Sequence, residues 1–429
     1  MNFRDFVEKL KEDGRLKVSK RKVSKHLELA GLMHAVDGNP VLVPEVSDSA
    51  FPAVGNVFST RGLVCDYLGI KKEQLIPELV EAINNPKKPE LVEKGPVLEN
   101  KADSVDLGCL PIPFHAEKDG GPYLSSAIVI AQDKELGRNL SFHRMMVIGK
   151  GKVAVRILPR HLQEFIERAG GELDVAVVVG APINVLLSAA ISSKLGQDEL
   201  EFANALAPVK TVRLGNGIEV PADCEFAFEG RFAKETHDEG PFVDLTETYD
   251  IVREQQVMEL TKMYHRDGAM WHVLLPGGME HKVLMGMPRE PTIFDEVSKV
   301  CECKAVNITF GGCSWLHAVV AIKKKEEEDG KKAIEAAFRG HKSLKHVVIV
   351  DDDIDVDDMQ EVEWAIATRF QADKDLVVKE KQKGSSLDPS ADPKTRDTTK
   401  MGMDATKPIG KEKEFGKAEW KRVEPSDYF

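Results

Sequence analysis

Asn139, Arg144 and His161 stand close together in one stretch of this 429-residue sequence, and Glu229, Glu239 and Asp244 in another. An amide oxygen, an imidazole and a carboxylate (Asn139, His161, Glu229) make a mixed donor set that suits Mg2+ or Mn2+ better than structural zinc. A guanidinium between two acids (Arg144 with Glu239 and Asp244) is one way to hold a substrate carboxylate beside a proton donor. Each residue also has a plainer reading. Asn139 is a turn residue after Gly137-Arg138, His161 a helix entry after Pro159-Arg160, and Glu229-Gly230 a strand end.

These residues need short strands to carry them. Runs rich in β-branched and apolar residues are expected as strands at Ser126–Ala131, Leu140–Ile148, Lys152–Leu158, Asp174–Val179, Thr211–Leu214 and Cys224–Phe232. Asn216-Gly217 signals a hairpin. Helices are expected at Leu162–Ala169 and at Asp198–Leu206, the latter with Asp198 as N-cap. Such an alternation implies a β-barrel-like middle domain over residues 111–287. Before it, Phe3, Phe6, Val7 and Leu10 recur at helical spacing up to Gly14, and PVLVP and PAVGNVF read as short buried strands. This gives an N-terminal α/β domain over 1–110, ending in the Pro-containing stretch after Val97. From 288 the pattern is helix–strand–helix, with His346–Val350 as a buried strand of the parallel kind, so a C-terminal α/β domain is expected over 288–429. Residues 380–414 read as a polar loop or arm, and Phe415–Val423 as a short docking helix.

A hydrophobic content of 42% with 30% charged residues is that of a globular chain. The net charge of −12 comes without a sustained basic stripe, which argues against a nucleic-acid partner. The opening residues carry no apolar signal segment, and Val175–Ala190, broken by Gly180, Pro182 and Asn184, is too short to cross a bilayer. No membrane association and a cytoplasmic location are therefore expected. The cysteines form no Cys-x-x-Cys; Cys301 and Cys303 read as reduced thiols.

Taken in order, Asn-x-x-x-x-Arg (139–144), Pro-x-His (159–161), Phe-Glu-Gly (228–230) and Glu-Gly-Pro-Phe-x-Asp (239–244) resemble the UbiD family of decarboxylases. Further resembling stretches are RDFVEKLKEDG, AVGNVFSTR, DGGPYLSSAIVIAQD, DDDIDVDDMQEVEWAIATR and KMGMDAT, so the likeness spans nearly the whole chain. It implies an α/β (α+β) fold with a central split β-barrel flanked by α/β domains. It also implies prenylated FMN as cofactor, with Mn2+ (or Mg2+) held by Asn139, His161 and Glu229, and K+ as a further ion. Flavin contacts are implied at Asn139, Leu140, Ser141, Phe142, His143, Arg144, Arg160, His161, Glu229 and Lys345. His143, next to Arg144, should itself point to the opposite face of its strand.

The resemblance further assigns catalysis to Arg144, Glu239 and Asp244. The family often has Glu at the third position; Asp is one methylene shorter, and Glu247 is the alternative donor. Chain length and this Asp resemble the compact archaeal branch. That branch implies decarboxylation of trans-anhydromevalonate 5-phosphate to isopentenyl phosphate. An aryl acid such as 3-polyprenyl-4-hydroxybenzoate is the alternative substrate, and a non-catalytic flavin-binding protein the alternative function. A carboxylic acid substrate, a flavin prenyltransferase as cofactor supplier and a homo-oligomer complete the implied partners.

Overall fold

The computed structural model describes every residue except Glu419 and Phe429. It groups into two compact units. One comprises Met1–Pro291 with Phe310–Trp315 and Ser386–Pro389; the other comprises Thr292–Thr309, Leu316–Ser385 and Ser390–Phe429. The boundary expected near 288 lies beside this division. The one expected near 110 runs through the first unit, because Ala53–Gly55 pairs in parallel with Trp271–Val273.

A wholly antiparallel sheet forms the centre of the first unit. Its order is Tyr123–Leu124, Met145–Val147, Lys152–Val155, Arg253–His265, Phe226–Glu239, Leu173–Val179, Ile128–Asp133 and Gly137–Phe142. Asn100–Ala102 adds alongside Arg253–His265. Alternation along the strands sends side chains to two separate apolar clusters, one on each face. Leu140, Ile130, Ala176 and Tyr264 belong to one. Ala131, Val175, Phe226 and Phe228 belong to the other, together with Leu162, Phe165 and Ile166 of the helix His161–Arg168.

The single strand expected over Leu140–Ile148 is in fact two, interrupted at His143-Arg144. The physical reason is where each half pairs. Gly137–Phe142 closes one end of the sheet, whereas Met145–Val147 pairs with strands at the other end. The three Cα steps from Phe142 to Met145 span only about 10 Å, so the two ends must approach and the sheet rolls into a barrel. Arg144 sits on the seam.

Other expectations hold with small shifts of boundary. The opening helix is Phe3–Glu12, with Gly14 at φ +70° just beyond it. Asp198 caps Glu199–Leu206 by accepting from the Leu200 amide. Among the segments not foreseen, Ile183–Ala190 is a wholly buried helix and Arg253–His265 a long strand.

In the second unit, His317–Lys323, His346–Asp351 and Asp397–Ala405 run parallel, with Glu302–Ile308 and Leu376–Lys383 antiparallel at the edges. The expected arm over 380–414 is corrected here. Parts of it form an antiparallel strand pair whose polar outer positions hide a buried inner row, Lys400, Gly402 and Asp404. No helix forms over Phe415–Val423 among the described residues, Trp420 is exposed, and Glu419 lies outside the described residues. Among the described residues, no helix is long and apolar enough to cross a membrane.

Candidate active site

Arg144 leaves the barrel seam with a side chain only 8% exposed. Its Nε donates to Glu239 Oε1 at 2.9 Å and its Nη2 to Glu239 Oε2 at 3.0 Å. Nη1 donates to Asp244 Oδ2 at 2.5 Å. A third acid, unforeseen, completes the fork: Nη2 also donates to Asp250 Oδ2 at 2.9 Å. Burial by itself would lower the guanidinium's pKa, but Glu239 first, then Asp244 and Asp250, outweigh it and raise it. The Phe242 ring lies 5.0 Å below the guanidinium and packs in turn, tilted by 40°, against Tyr123, whose hydroxyl donates to Glu239 Oε1 at 3.0 Å.

The two flanking acids differ in environment. Glu239 is wholly buried and receives three hydrogen bonds. Asp244 is 17% exposed, bonded to the arginine through one nitrogen and to its neighbour's amide, Leu245 N, at 2.7 Å. Glu247 is 60% exposed and pairs with Lys282.

The loop that presents Asp244 is seated on Gly120. Gly120 N donates to Pro241 O at 2.8 Å, and a β-carbon on Gly120 would fall 2.3 Å from the Gly240 carbonyl oxygen. Gly120→Ala is therefore expected to push the Gly240–Asp244 segment away from Arg144 and lower turnover about 10²-fold, as a misplacement of roughly 1 Å does. Initial rates on the cofactor-loaded protein check this.

The expected metal set divides. Sheet register places Glu229 in line with Ala176, Ile130 and Leu140, whereas Asn139 lies in line with Ala131, Val175 and Gly230. Adjacent residues of a strand face opposite ways, so Asn139 and Glu229 project to opposite faces. Glu229 is occupied on its own side, accepting from Tyr264 Oη at 2.6 Å and Lys262 Nζ at 3.0 Å. His161 opens a helix that packs on the Asn139 face.

The carboxylate that Asn139 meets is Glu199, which the sequence reading missed. Asn139 Nδ2 donates to both its oxygens, at 3.2 and 3.3 Å; Leu140 N donates at 2.8 Å and Ser193 Oγ at 2.5 Å. Burial pushes the Glu199 carboxyl up to about 7. A signal existed: Glu199 stands at helical spacing with Phe202 and Ala203, both buried, so it lies on the apolar face of its helix.

The remaining expected contacts are placed as follows. Ser141 Oγ bonds His143 Nε2 at 2.9 Å, and His143 Nδ1 bonds the Arg156 carbonyl at 2.9 Å. Burial pushes His143 down to about 4, so it is neutral at pH 7. It lies in the gap between strands, tied to the backbone rather than aimed with Arg144. Phe142 packs on one apolar cluster. Arg160 is the N-cap of the helix that begins at His161. Burial and then Arg160 lower the His161 imidazole, which favours the neutral, ligating form. Lys345 belongs to the second unit, at the entrance to His346–Asp351, where Nζ bonds Ser390 Oγ.

Models of the three domains of 3-octaprenyl-4-hydroxybenzoate carboxy-lyase match residues 7–83 (N-terminal), 90–279 (Rift-related) and 282–405 (C-terminal). The chain is 43% identical over 401 residues to the anhydromevalonate phosphate decarboxylase of Methanocaldococcus jannaschii, covering 92% of this chain and 94% of that one. It superposes on the UbiD-class enzyme HmfF from Pelotomaculum thermopropionicum in complex with FMN, with a TM-score of 0.96, 35% identity and complete coverage of both chains. An evolved dimeric form of that enzyme in complex with prFMN gives a TM-score of 0.91 at 34% identity, again covering both chains completely. The rolled sheet, the Arg144 seam and these matches agree: the chain belongs to the UbiD family.

Proposed function

We propose that this protein is a non-oxidative decarboxylase that converts trans-anhydromevalonate 5-phosphate to isopentenyl phosphate and CO2 with prenylated FMN as cofactor. The observation that carries the chemistry is Arg144, held by a buried Glu239 on one side and bonded by a single nitrogen to the partly exposed Asp244 on the other. The choice of acid is supported by the name of the Methanocaldococcus relative.

In this reading Arg144 orients the substrate carboxylate, which exchanges with Asp244 at Nη1. Asp244 then returns one proton to the carbon that has lost CO2. Glu239, with Tyr123 behind it, keeps the arginine from following the leaving group. A bound prenylated flavin supplies an electron sink for the pair left when the carboxylate departs. Asn139, His161 and Glu199 offer the mixed oxygen and nitrogen donors that suit a hard divalent ion, so they would hold Mn2+ or Mg2+, whose charge would neutralise a flavin phosphate. Arg160 and the buried Arg289 lie close enough for the first to depress the second, after burial, and an anionic phosphate there would be drawn by both. Lys345, a flavin prenyltransferase as supplier and a homo-oligomer remain part of the proposal.

Metal binding is separately testable. Glu199→Gln is expected to lose the divalent ion, measured by elemental analysis, and most of the flavin with it. Glu229→Gln should keep both, because its side chain faces Tyr264 and Lys262 instead. Loss on Glu229→Gln with retention on Glu199→Gln would restore the assignment made from the sequence.

The function is tested by producing the protein together with a flavin prenyltransferase, adding Mn2+ and offering two acids in parallel. Release of CO2 from trans-anhydromevalonate 5-phosphate is the expected result. Release from 3-polyprenyl-4-hydroxybenzoate alone would move the substrate to the aryl acids. Release from neither, at full flavin loading, would leave a flavin-binding protein.

A further inference from the structure

Asp250 was not among the acids expected to act, yet its Oδ2 gathers three guanidinium groups. Arg253 Nη1 lies at 2.7 Å, Arg144 Nη2 at 2.9 Å and Arg156 Nε at 3.8 Å, while Oδ1 accepts from Ile251 N at 2.9 Å. Its side chain is 11% exposed. Arg253 and Arg144, acting over the opposing effect of burial, hold the Asp250 carboxyl below the usual range, so it is a fixed negative charge.

Three features follow from this geometry. The arginine fork donates three of its four carboxylate bonds to Glu239 and Asp250, and only one to Asp244. Asp244 is thus the acid free to let go. The cluster holds Arg144, Arg156 and Arg253 against Glu239, Asp244 and Asp250, which is neutral when every group is charged. When Asp244 carries the proton it is to donate, the cluster gains one positive charge, matching a single substrate carboxylate.

We infer that Asp250 is a positioning residue for Arg144 and sets the pH at which Asp244 keeps its proton. The inference rests on the decarboxylase reading, with Asp244 as donor. Groups facing Asp244 from other elements are Arg144, His281 and Lys282, with Glu247 on its own loop and Asp119 beside Val243. His281 is lowered by burial above all, and Lys282 is paired with Glu247, so neither supplies the fixed negative charge that Asp250 does.

The sign of the effect distinguishes this role from a structural one. Turnover fails at high pH when the donor loses its proton. Asp250→Asn removes a negative charge, leaving the guanidinium groups to favour the Asp244 carboxylate, so this limb of the pH–rate profile moves down by about one unit. Arg253→Gln leaves Asp250 less neutralised, so the limb moves up.

The experiment measures kcat, KM, flavin content and pH–rate profiles for wild type and both variants, each loaded with prenylated FMN and Mn2+. Expected are wild-type flavin content, a kcat about 10-fold lower for Asp250→Asn, and limbs displaced in opposite directions. Limbs that coincide with wild type, or that move the same way, overturn the inference, as does a loss of kcat that merely tracks flavin loss. Should Asp250→Asn fail to fold, the direction of the Arg253→Gln shift decides alone. Failure of wild type itself to release CO2 is a failure of the decarboxylase reading, seen before either variant is compared.

Discussion

Arg144→Ala releases CO2 at least about 10³-fold more slowly than wild type while keeping its flavin and metal: that is the expected result, because the removed group alone links the substrate carboxylate to its flanking acids. The flavin and metal ligands proposed here lie elsewhere, at Asn139, His161 and Glu199. Stability should also suffer. Glu239 is wholly buried and Arg144 is the cation that neutralises it, so deleting the guanidinium costs about 3–5 kcal/mol unless the carboxyl takes up a proton. Arg144→Lys separates the two effects. An ammonium restores the charge but cannot reproduce the fork to Glu239, so it should recover most of the stability and little of the rate. Thermal melts alongside initial rates check both. A rate for Arg144→Ala within a few-fold of wild type would remove Arg144 from the chemistry.

Asp244→Asn is expected to bind substrate with little change in KM and to lose about 10²–10⁴-fold in kcat, since an amide cannot deliver the proton. Asp244 rather than Glu239 is assigned this role because it is the more exposed and the less tightly held of the two. Asp244→Glu restores the acid but adds a methylene in a loop seated on Gly120 for the shorter side chain. It should be impaired as well. Glu247→Gln, at an exposed residue paired with Lys282, should stay within a few-fold of wild type. Normal turnover by Asp244→Asn together with loss on Glu247→Gln would move the donor by three positions.

What the sequence disclosed depended on whether the signal was local. The opening helix was legible because Phe3, Phe6, Val7 and Leu10 repeat with the helical period, and all four are buried. Arg144, Glu239 and Asp244 were legible through family motifs and come together as expected. Phe-Glu-Gly suggested that Glu229 joins Asn139, but which face it takes depends on register across four strands, and a strand's parity is not written in its own residues. Glu199 escaped notice because an acid in a first helical turn ordinarily faces water and favours the helix dipole; here it is buried against the end strand of the barrel. Asp250 stands in none of the motifs, and only the fold brings it to Arg144. The pair Leu376–Lys383 and Asp397–Ala405 read as a loop because it lies at the sheet's edge, where one face stays polar.

The most direct test of the account is a deuterium-labelling measurement on the loaded protein. Trans-anhydromevalonate 5-phosphate is incubated in D2O with wild type and with Asp244→Asn, and CO2 and product are followed together. One CO2 per product is expected from wild type, with one deuterium on the carbon that carried the carboxylate. Labelled product should form at least about 10²-fold more slowly with Asp244→Asn. No CO2 from wild type at full flavin and metal loading, or labelled product formed as fast by Asp244→Asn as by wild type, would contradict it.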